Sequence, residues 1–94
     1  MPTLRYSDAS KEDLKEIARF IAKDKPLAAR QWIDKLRAKC RFVARNPEIG
    51  DVRHEFGPNI RSTYLGSYVI FFRRNSDAVE IVRIVRGERD RPLL

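Results

Sequence analysis

The sequence predicts an α+β fold of order β-α-α-β-β-β, in which a helical hairpin packs on one face of a twisted antiparallel sheet. Two observations support this fold class. Apolar residues recur every three to four positions through the first half of the chain, which is typical of amphipathic helices. From residue 60 onward, β-branched and aromatic residues fill three segments joined by very short connections, which is typical of antiparallel hairpins.

The length and the scarcity of metal ligands narrow the class of protein. A chain of 94 residues is expected to form a single domain, residues 1–94, around one core. One cysteine, Cys40, excludes an internal disulfide, and with one histidine, His54, it cannot form a zinc cluster. No glycine-rich nucleotide-binding motif occurs, so no cofactor is expected. Without a run of about 20 apolar residues, we expect a cytosolic protein with no membrane segment.

The first two predicted elements are a short strand and a helix. Residues 3–6 alternate in polarity and end at a polar pair, which indicates a strand. Ser10 and Asp13 then resemble a capping box with Asp in place of Glu. The helix is predicted over residues 9–23, with an apolar stripe made of Leu14, Ile17, Ala18, Ile21 and Ala22.

The second helix begins near Pro26, because proline is tolerated in a first helical turn, and it ends at Asn46 and Pro47. Only a few residues separate the two helices, so they should lie antiparallel. Trp32 and Cys40 are predicted to be core residues because they belong to the apolar stripe formed by Ala29, Trp32, Ile33, Leu36, Cys40 and Val43.

The rest of the chain is predicted to be a loop followed by a three-stranded meander. Residues 47–59 contain two prolines and two glycines without any period, so a loop is expected, with His54 solvated in it. The strands are predicted over residues 60–65, 68–74 and 78–86.

The face of the sheet away from the helices has two open interpretations. In the last strand, one alternating set contains Val79, Ile81, Arg83 and Val85, and the other contains Glu80, Val82, Ile84 and Arg86. Both faces are partly apolar, which indicates either a groove that binds a partner or a two-sided core strand with arginines at its ends. Tyr64 and Tyr68 flank the first turn and suit either base stacking or cross-strand packing.

The charge indicates an anionic partner without identifying it. A net charge of +7 fits an acidic protein, a nucleic acid or an anionic membrane surface. All six lysines lie within residues 1–47, and every basic residue after them is arginine, whose rigid guanidinium suits carboxylates, phosphates and aromatic faces. Among these arginines, the candidate target-binding residues are Arg61, Arg73, Arg83, Arg86 and Arg89.

Three roles are considered for these arginines: pairing with nearby carboxylates, binding a protein, and cleaving RNA. Cleavage through the 2′-hydroxyl needs a base, an acid and a cation that stabilises the phosphorane-like charge. Arginine supplies only the cation, and neither a lysine nor a histidine accompanies it in the strands. No catalytic residue is therefore assigned. The carboxylates available for pairing are Glu80, Glu88 and Asp90.

Almost the whole chain resembles the RelE/ParE superfamily of toxins from bacterial type II toxin–antitoxin systems, and the ParE branch most closely. The likeness lies in five segments taken in order: ASKEDLKEIARFIA, DKPLAARQWIDKL, NPEIGDVR, IRSTYLGSYVIFFRR and IVRIVRGERD. The resemblance implies the fold described above, growth arrest, plasmid stabilisation and neutralisation by a small cognate antitoxin, which we expect to be acidic because this chain is basic.

Within the superfamily, RelE-like members are ribosome-dependent mRNA endonucleases, and ParE-like members poison DNA gyrase. Ribonuclease members typically carry a tyrosine or histidine shortly after the last arginine motif, whereas residues 90–94 here are Asp-Arg-Pro-Leu-Leu. Arg86 also stands where many ParE-like sequences have histidine. The expected function is therefore gyrase inhibition. The alternatives are an mRNA endonuclease that acts on the ribosome and an inactive member that still binds antitoxin.

Overall fold

The computed structural model describes residues 3–87, which form two helices and five strands. The helices are α1 (Asp8–Ala22) and α2 (Pro26–Arg45). The strands are β1 (Thr3–Tyr6), β2 (Asp51–Val52), β3 (Ile60–Leu65), β4 (Tyr68–Asn75) and β5 (Ala78–Arg86). The predicted α+β class and the helical hairpin are confirmed. Within residues 3–87, neither helix is apolar enough over a sufficient length to cross a membrane.

The sheet has the strand order β1-β5-β4-β3-β2. The predicted antiparallel meander of β3, β4 and β5 is confirmed. The prediction of a wholly antiparallel sheet is wrong at β1, which runs parallel to β5, with Leu4 opposite Val79. Parallel neighbours need a long connection between them, and the helices and the meander together provide it.

The segment predicted as a loop contains short regular structure. β2 pairs antiparallel with β3, with Asp51 opposite Ser62, and a 3₁₀ turn covers His54–Phe56. Two residues are too few to show a strand period, so the sequence pattern alone did not indicate β2. Because β2 is paired with β3, the 3₁₀ turn that follows β2 lies next to the sheet.

The core lies between the helices and one face of the sheet. The predicted core position of Cys40 is confirmed, because its side chain is fully buried. Trp32 is only partly buried, and its ring meets Tyr68 edge to face at a centroid distance of 5.9 Å. The apolar core residues buried most completely are Leu36, Cys40, Val43, Ile70, Phe72, Val79, Ile81 and Ile84.

A β-bulge changes which residues of β5 face the helices. Phe71 pairs with Arg83 and Phe72 pairs with Ile81, so Val82 is the extra residue. The strict alternation expected from the sequence is therefore wrong beyond Ile81. Ile84 joins the core on the helix side, and Arg83 lies with Phe71 on the opposite face, because directly paired residues share a face.

The N-terminus of α1 differs from the predicted capping box. Ser7 is the N-cap, and its Oγ accepts a hydrogen bond from the backbone N–H of Ser10 at 3.0 Å. The Ser7 hydroxyl also donates to the carbonyl oxygen of Val82 at 2.8 Å. Ser10 is fully buried in the first turn, and Asp13 is bound to β5 instead of capping the helix. One hydroxyl thus caps α1 and joins it to β5 at the bulge.

We predict that Ser7→Ala lowers the free energy of unfolding by about 1–2 kcal/mol, because the helix loses its cap. Ser7→Thr keeps the hydroxyl and should lose about 0.5 kcal/mol or less. Urea denaturation of both variants measures the difference. Equal losses would show that the hydroxyl is not what stabilises this helix terminus.

Candidate functional site

The structure separates the arginines that were predicted to bind a target. Arg73 and Arg83 lie on the face of the sheet that points away from the helices, because their cross-strand partners are Glu80 and Phe71. Arg61 is opposite Phe72 and Arg86 is opposite Tyr68, which places both on the helix side. Arg89 lies outside the described residues. The four described arginines therefore do not form one cluster.

Arg83 is bound to α1. Its Nε donates to Asp13 Oδ2 at 2.8 Å, and its Nη2 donates to Asp13 Oδ1 at 2.9 Å. The backbone N–H of Ile84 donates to the same carboxylate at 2.9 Å. Hydrogen bonding to Asp13, together with its negative charge, raises the pKa of Arg83 above its ordinary value. Asp13 thus fixes Arg83 in a bidentate pair that orients the guanidinium.

Arg73 is paired within the sheet. Its Nη2 donates to Glu80 Oε1 at 3.0 Å, and the two residues are direct cross-strand neighbours on β4 and β5. This pair agrees with the first role considered for the arginines, in which a nearby carboxylate neutralises the charge. The pair uses only one side of the guanidinium, and Arg73 Nε is buried without a hydrogen-bond partner within residues 3–87.

Arg61 stabilises the chain that follows α2. Its Nη1 lies 3.0 Å from the carbonyl oxygen of Glu48, 3.4 Å from that of Ile49 and 3.3 Å from that of Gly50. Carbonyl groups of this irregular segment need hydrogen-bond donors because no helix or strand supplies them. The geometry favours a structural role for Arg61 over direct contact with a target.

Arg86 is the most available of the four described arginines. Its guanidinium carbon lies 5.3 Å from the ring centroid of Phe20 in α1, and both residues are exposed. No ion pair involves Arg86 within residues 3–87. An exposed arginine stacked on a ring that is itself 58% exposed is a suitable contact for a protein partner.

Arg53 was not predicted from the sequence, because it lies in the segment expected to be a loop. Its Nη1 donates to Ser62 Oγ at 3.1 Å, and its Nε donates to Glu55 Oε2 at 2.9 Å. Its guanidinium carbon lies 5.0 Å from the Phe56 ring centroid and 5.5 Å from that of Phe71. An arginine three residues before a phenylalanine is too common a pattern to indicate this stack.

An apolar groove lies next to this stack, on the face of the sheet without helices. We call it the outer groove, and it encloses about 460 Å³. Phe56 lines it and is 57% exposed. Of the two interpretations of this face, the structure favours a groove over a two-sided core strand. The lining residues are Phe56, Ile60, Phe71, Val82, Arg83 and Val85.

A second groove runs between α1 and α2, next to β1. We call it the hairpin groove, and its volume is about 390 Å³. Three cations, Lys11, Lys15 and Arg37, surround apolar side chains. The apolar lining is formed by Tyr6, Leu14, Ala18 and Ile33.

Within residues 3–87, the titratable groups bonded to Arg73 and Arg83 are their ion-pair partners, Glu80 and Asp13. His54 is exposed in the 3₁₀ turn, as predicted. Burial raises the pKa of Cys40 to about 11, so the thiol is protonated at neutral pH. Burial also raises the pKa of Tyr6. Hydrogen bonds from its own backbone N–H and from Arg53 lower the pKa of Glu55, so this carboxylate is charged at neutral pH.

We predict that Asp13→Asn lowers the free energy of unfolding by about 1–3 kcal/mol, because charged hydrogen bonds from Arg83 and Ile84 are weakened. Asp34→Asn is the control, since Asp34 is exposed and has no ion-pair partner within residues 3–87. The control should change stability by no more than about 0.5 kcal/mol. Thermal or urea unfolding compares the two variants, and equal losses would contradict a special role for Asp13.

Comparison with known proteins places the chain in a family. Its fold matches a solved structure described as the chromosomal ParDE TA system from P. aeruginosa, with a TM-score of 0.82, 20% sequence identity, and coverage of 94% of this chain and 98% of that one. At this identity the likeness shows the fold. No curated protein sequence matches the chain. The model of a family described as the ParE toxin of the type II toxin–antitoxin system parDE matches residues 4–91. This chain therefore belongs to the ParE toxin family of type II toxin–antitoxin systems.

Proposed function

We propose that this toxin inhibits DNA gyrase by binding it and that a cognate acidic antitoxin neutralises the toxin. The observation that carries the proposal is the state of the described arginines. Arg83 and Arg73 are held by carboxylates and Arg61 by backbone carbonyls, so all three guanidinium groups are already bonded within the fold. This arrangement supports binding to a protein over cleavage of RNA.

The chemistry of RNA cleavage gives a second reason to favour binding to a protein. A 2′-hydroxyl needs a base, and the leaving oxygen needs an acid, both within hydrogen-bond reach of the substrate. Cys40 and Tyr6 have raised pKa values and are wholly or partly buried, so they are poorly suited to either role. His54 is exposed in the 3₁₀ turn, and no hydrogen bond within residues 3–87 links its side chain to Arg61, Arg73 or Arg83.

The proposed gyrase surface centres on Arg86 and Phe20. Both side chains are exposed, and each supports the other through the stacked contact between strand and helix. Arginine and aromatic side chains contribute disproportionately to protein interfaces, because they combine a large contact area with directional hydrogen bonds. Arg89 belongs to the same proposed surface by sequence alone, three residues beyond Arg86.

The proposed antitoxin site is the hairpin groove. Its apolar lining and three surrounding cations fit an amphipathic segment that places apolar side chains in the groove and carboxylates over Lys11, Lys15 and Arg37. Charge complementarity of this kind would speed association, and burial of the apolar anchors would slow dissociation.

The gyrase proposal predicts inhibition of supercoiling when micromolar toxin is mixed with gyrase, plasmid DNA and ATP. Trapped cleaved DNA should accumulate in the same reactions. If neither effect occurs, the gyrase assignment is wrong. A specific mRNA cut on programmed ribosomes would instead identify the ribonuclease alternative.

Arg86→Gln should weaken gyrase inhibition about tenfold or more, because a stacked interface arginine is lost. The matched control is Arg74→Gln, which removes the same charge from an exposed residue of β4. The potency of each variant is measured as the toxin concentration that halves gyrase supercoiling. Equal potencies would remove Arg86 from the proposed surface, whereas the gyrase proposal itself would stand on the wild-type result.

Antitoxin binding is tested with Ala18→Glu, which places a carboxylate in the hairpin groove. The control, Ala22→Glu, adds the same charge one turn later at an exposed position of α1. We expect Ala18→Glu to weaken binding of the protein encoded next to the toxin gene at least tenfold, measured by calorimetry on variants shown to be folded. Comparable affinities for the two variants would place the antitoxin elsewhere.

A further inference from the structure

The positive charge of this protein is concentrated in one helix. α2 contains six basic residues and a single acidic one, Asp34, whereas α1 contains three basic and four acidic residues. Most of the net charge of +7 therefore lies on α2. A charge imbalance concentrated on one helix indicates a local binding surface more strongly than the same charge spread evenly over the molecule would.

Four arginines of α2 form a row along one side of the helix. Arg30, Arg37, Arg41 and Arg45 are separated by seven, four and four residues, which brings them to neighbouring positions on the helix surface. All four are exposed. At 1.5 Å per residue, the row is about 22 Å long. We call these four residues the α2 arginine row.

The α2 arginine row has no ion-pair partners within residues 3–87. Two cations of α1 do have such partners, in the Lys15–Glu12 pair at 3.4 Å and the Arg19–Glu16 pair at 3.1 Å. Like charges four residues apart weaken a helix, so the spacing of Arg37, Arg41 and Arg45 opposes helix stability. A polyanion bound along the row would remove this repulsion.

We propose that the α2 arginine row binds the phosphate backbone of duplex DNA. DNA rises 3.4 Å per phosphate along each strand, so a row of about 22 Å passes about six phosphates. Guanidinium groups bind phosphate oxygens in pairs, which makes arginine better suited than lysine to this contact. An acidic protein segment would be expected to find apolar anchors between the cations, whereas the exposed residue between Arg30 and Arg37 on this side is Asp34. The exposed apolar side chains of α2, Leu27 and Phe42, lie before the row and beside it.

This proposal goes beyond gyrase inhibition, because it concerns DNA itself and a different helix from the Arg86 surface. It can be tested without gyrase, so its failure and the failure of the proposed function are distinguishable. If both hold, the toxin would contact the protein and the DNA of a gyrase–DNA complex through separate surfaces.

The test is fluorescence anisotropy of a labelled 20-base-pair DNA duplex titrated with the full chain at several salt concentrations. Four phosphate contacts predict a slope of about −3.6 for the logarithm of the binding constant against the logarithm of salt concentration. Binding should then weaken about 150-fold between 50 and 200 mM salt. No binding at 50 mM, or a slope near zero, would overturn the proposal.

Variants locate the site. The triple variant Arg30→Gln, Arg41→Gln, Arg45→Gln leaves Arg37 of the hairpin groove in place. It should bind at least tenfold more weakly at 50 mM salt, with a slope near −1. The control is the triple variant Arg5→Gln, Arg19→Gln, Arg74→Gln, which removes the same charge from exposed residues outside α2. Its slope should stay near −3.6.

Circular dichroism establishes that both triple variants are folded before binding is compared. Equal weakening of the two variants would show that net charge, and not the α2 arginine row, attracts DNA.

Two further probes test the assignment to DNA. Binding of poly-glutamate without binding of the duplex would assign the row to an acidic protein, and tenfold tighter binding of a matched RNA duplex would assign it to RNA. Either result would overturn the proposal.

Discussion

The contact between Asp13 and β5 is the interaction on which the arrangement of the two layers most depends. One carboxylate accepts hydrogen bonds from Nε and Nη2 of Arg83 and from the backbone N–H of Ile84. β5 lies between β1 and β4 in the sheet, so joining α1 to this strand fixes the helical hairpin relative to the whole sheet. The contact forms just after the bulge at Val82, where Ser7 also bonds to the strand. Helix position and strand register are therefore set together.

Contacts within the fold also decide which arginines are available to bind a target. Arginines near the end of a strand suggest phosphate chemistry, yet Arg83, Arg73 and Arg61 are bonded within the fold. Replacing them would disturb stability along with any interaction, which makes them poor probes of toxicity. Arg86 is different, because it is exposed and stacked on Phe20. A binding surface built on this residue can be altered without removing an ion pair seen in residues 3–87.

The molecule thus presents surfaces of different chemistry. The hairpin groove combines an apolar lining with surrounding cations, which suits the amphipathic antitoxin segment proposed here. The α2 arginine row is cationic along its length and suits a phosphate backbone. Arg37 contributes to both surfaces. An antitoxin bound in the groove would therefore compete with DNA for one arginine, which links neutralisation to the proposed DNA contact.

The sequence by itself determined the helices, the meander, the burial of Cys40 and the resemblance to ParE toxins, because periodicity, turn residues and motif order are local properties of the chain. Tertiary structure alone decided the parallel pairing of β1, the bulge at Val82 and the partner of Arg83. Asp13 lies 70 residues from Arg83, and no local pattern encodes which carboxylate a strand will meet. A one-residue change of register moves side chains to the other face of a sheet, so the roles of the arginines depended on the assembled fold.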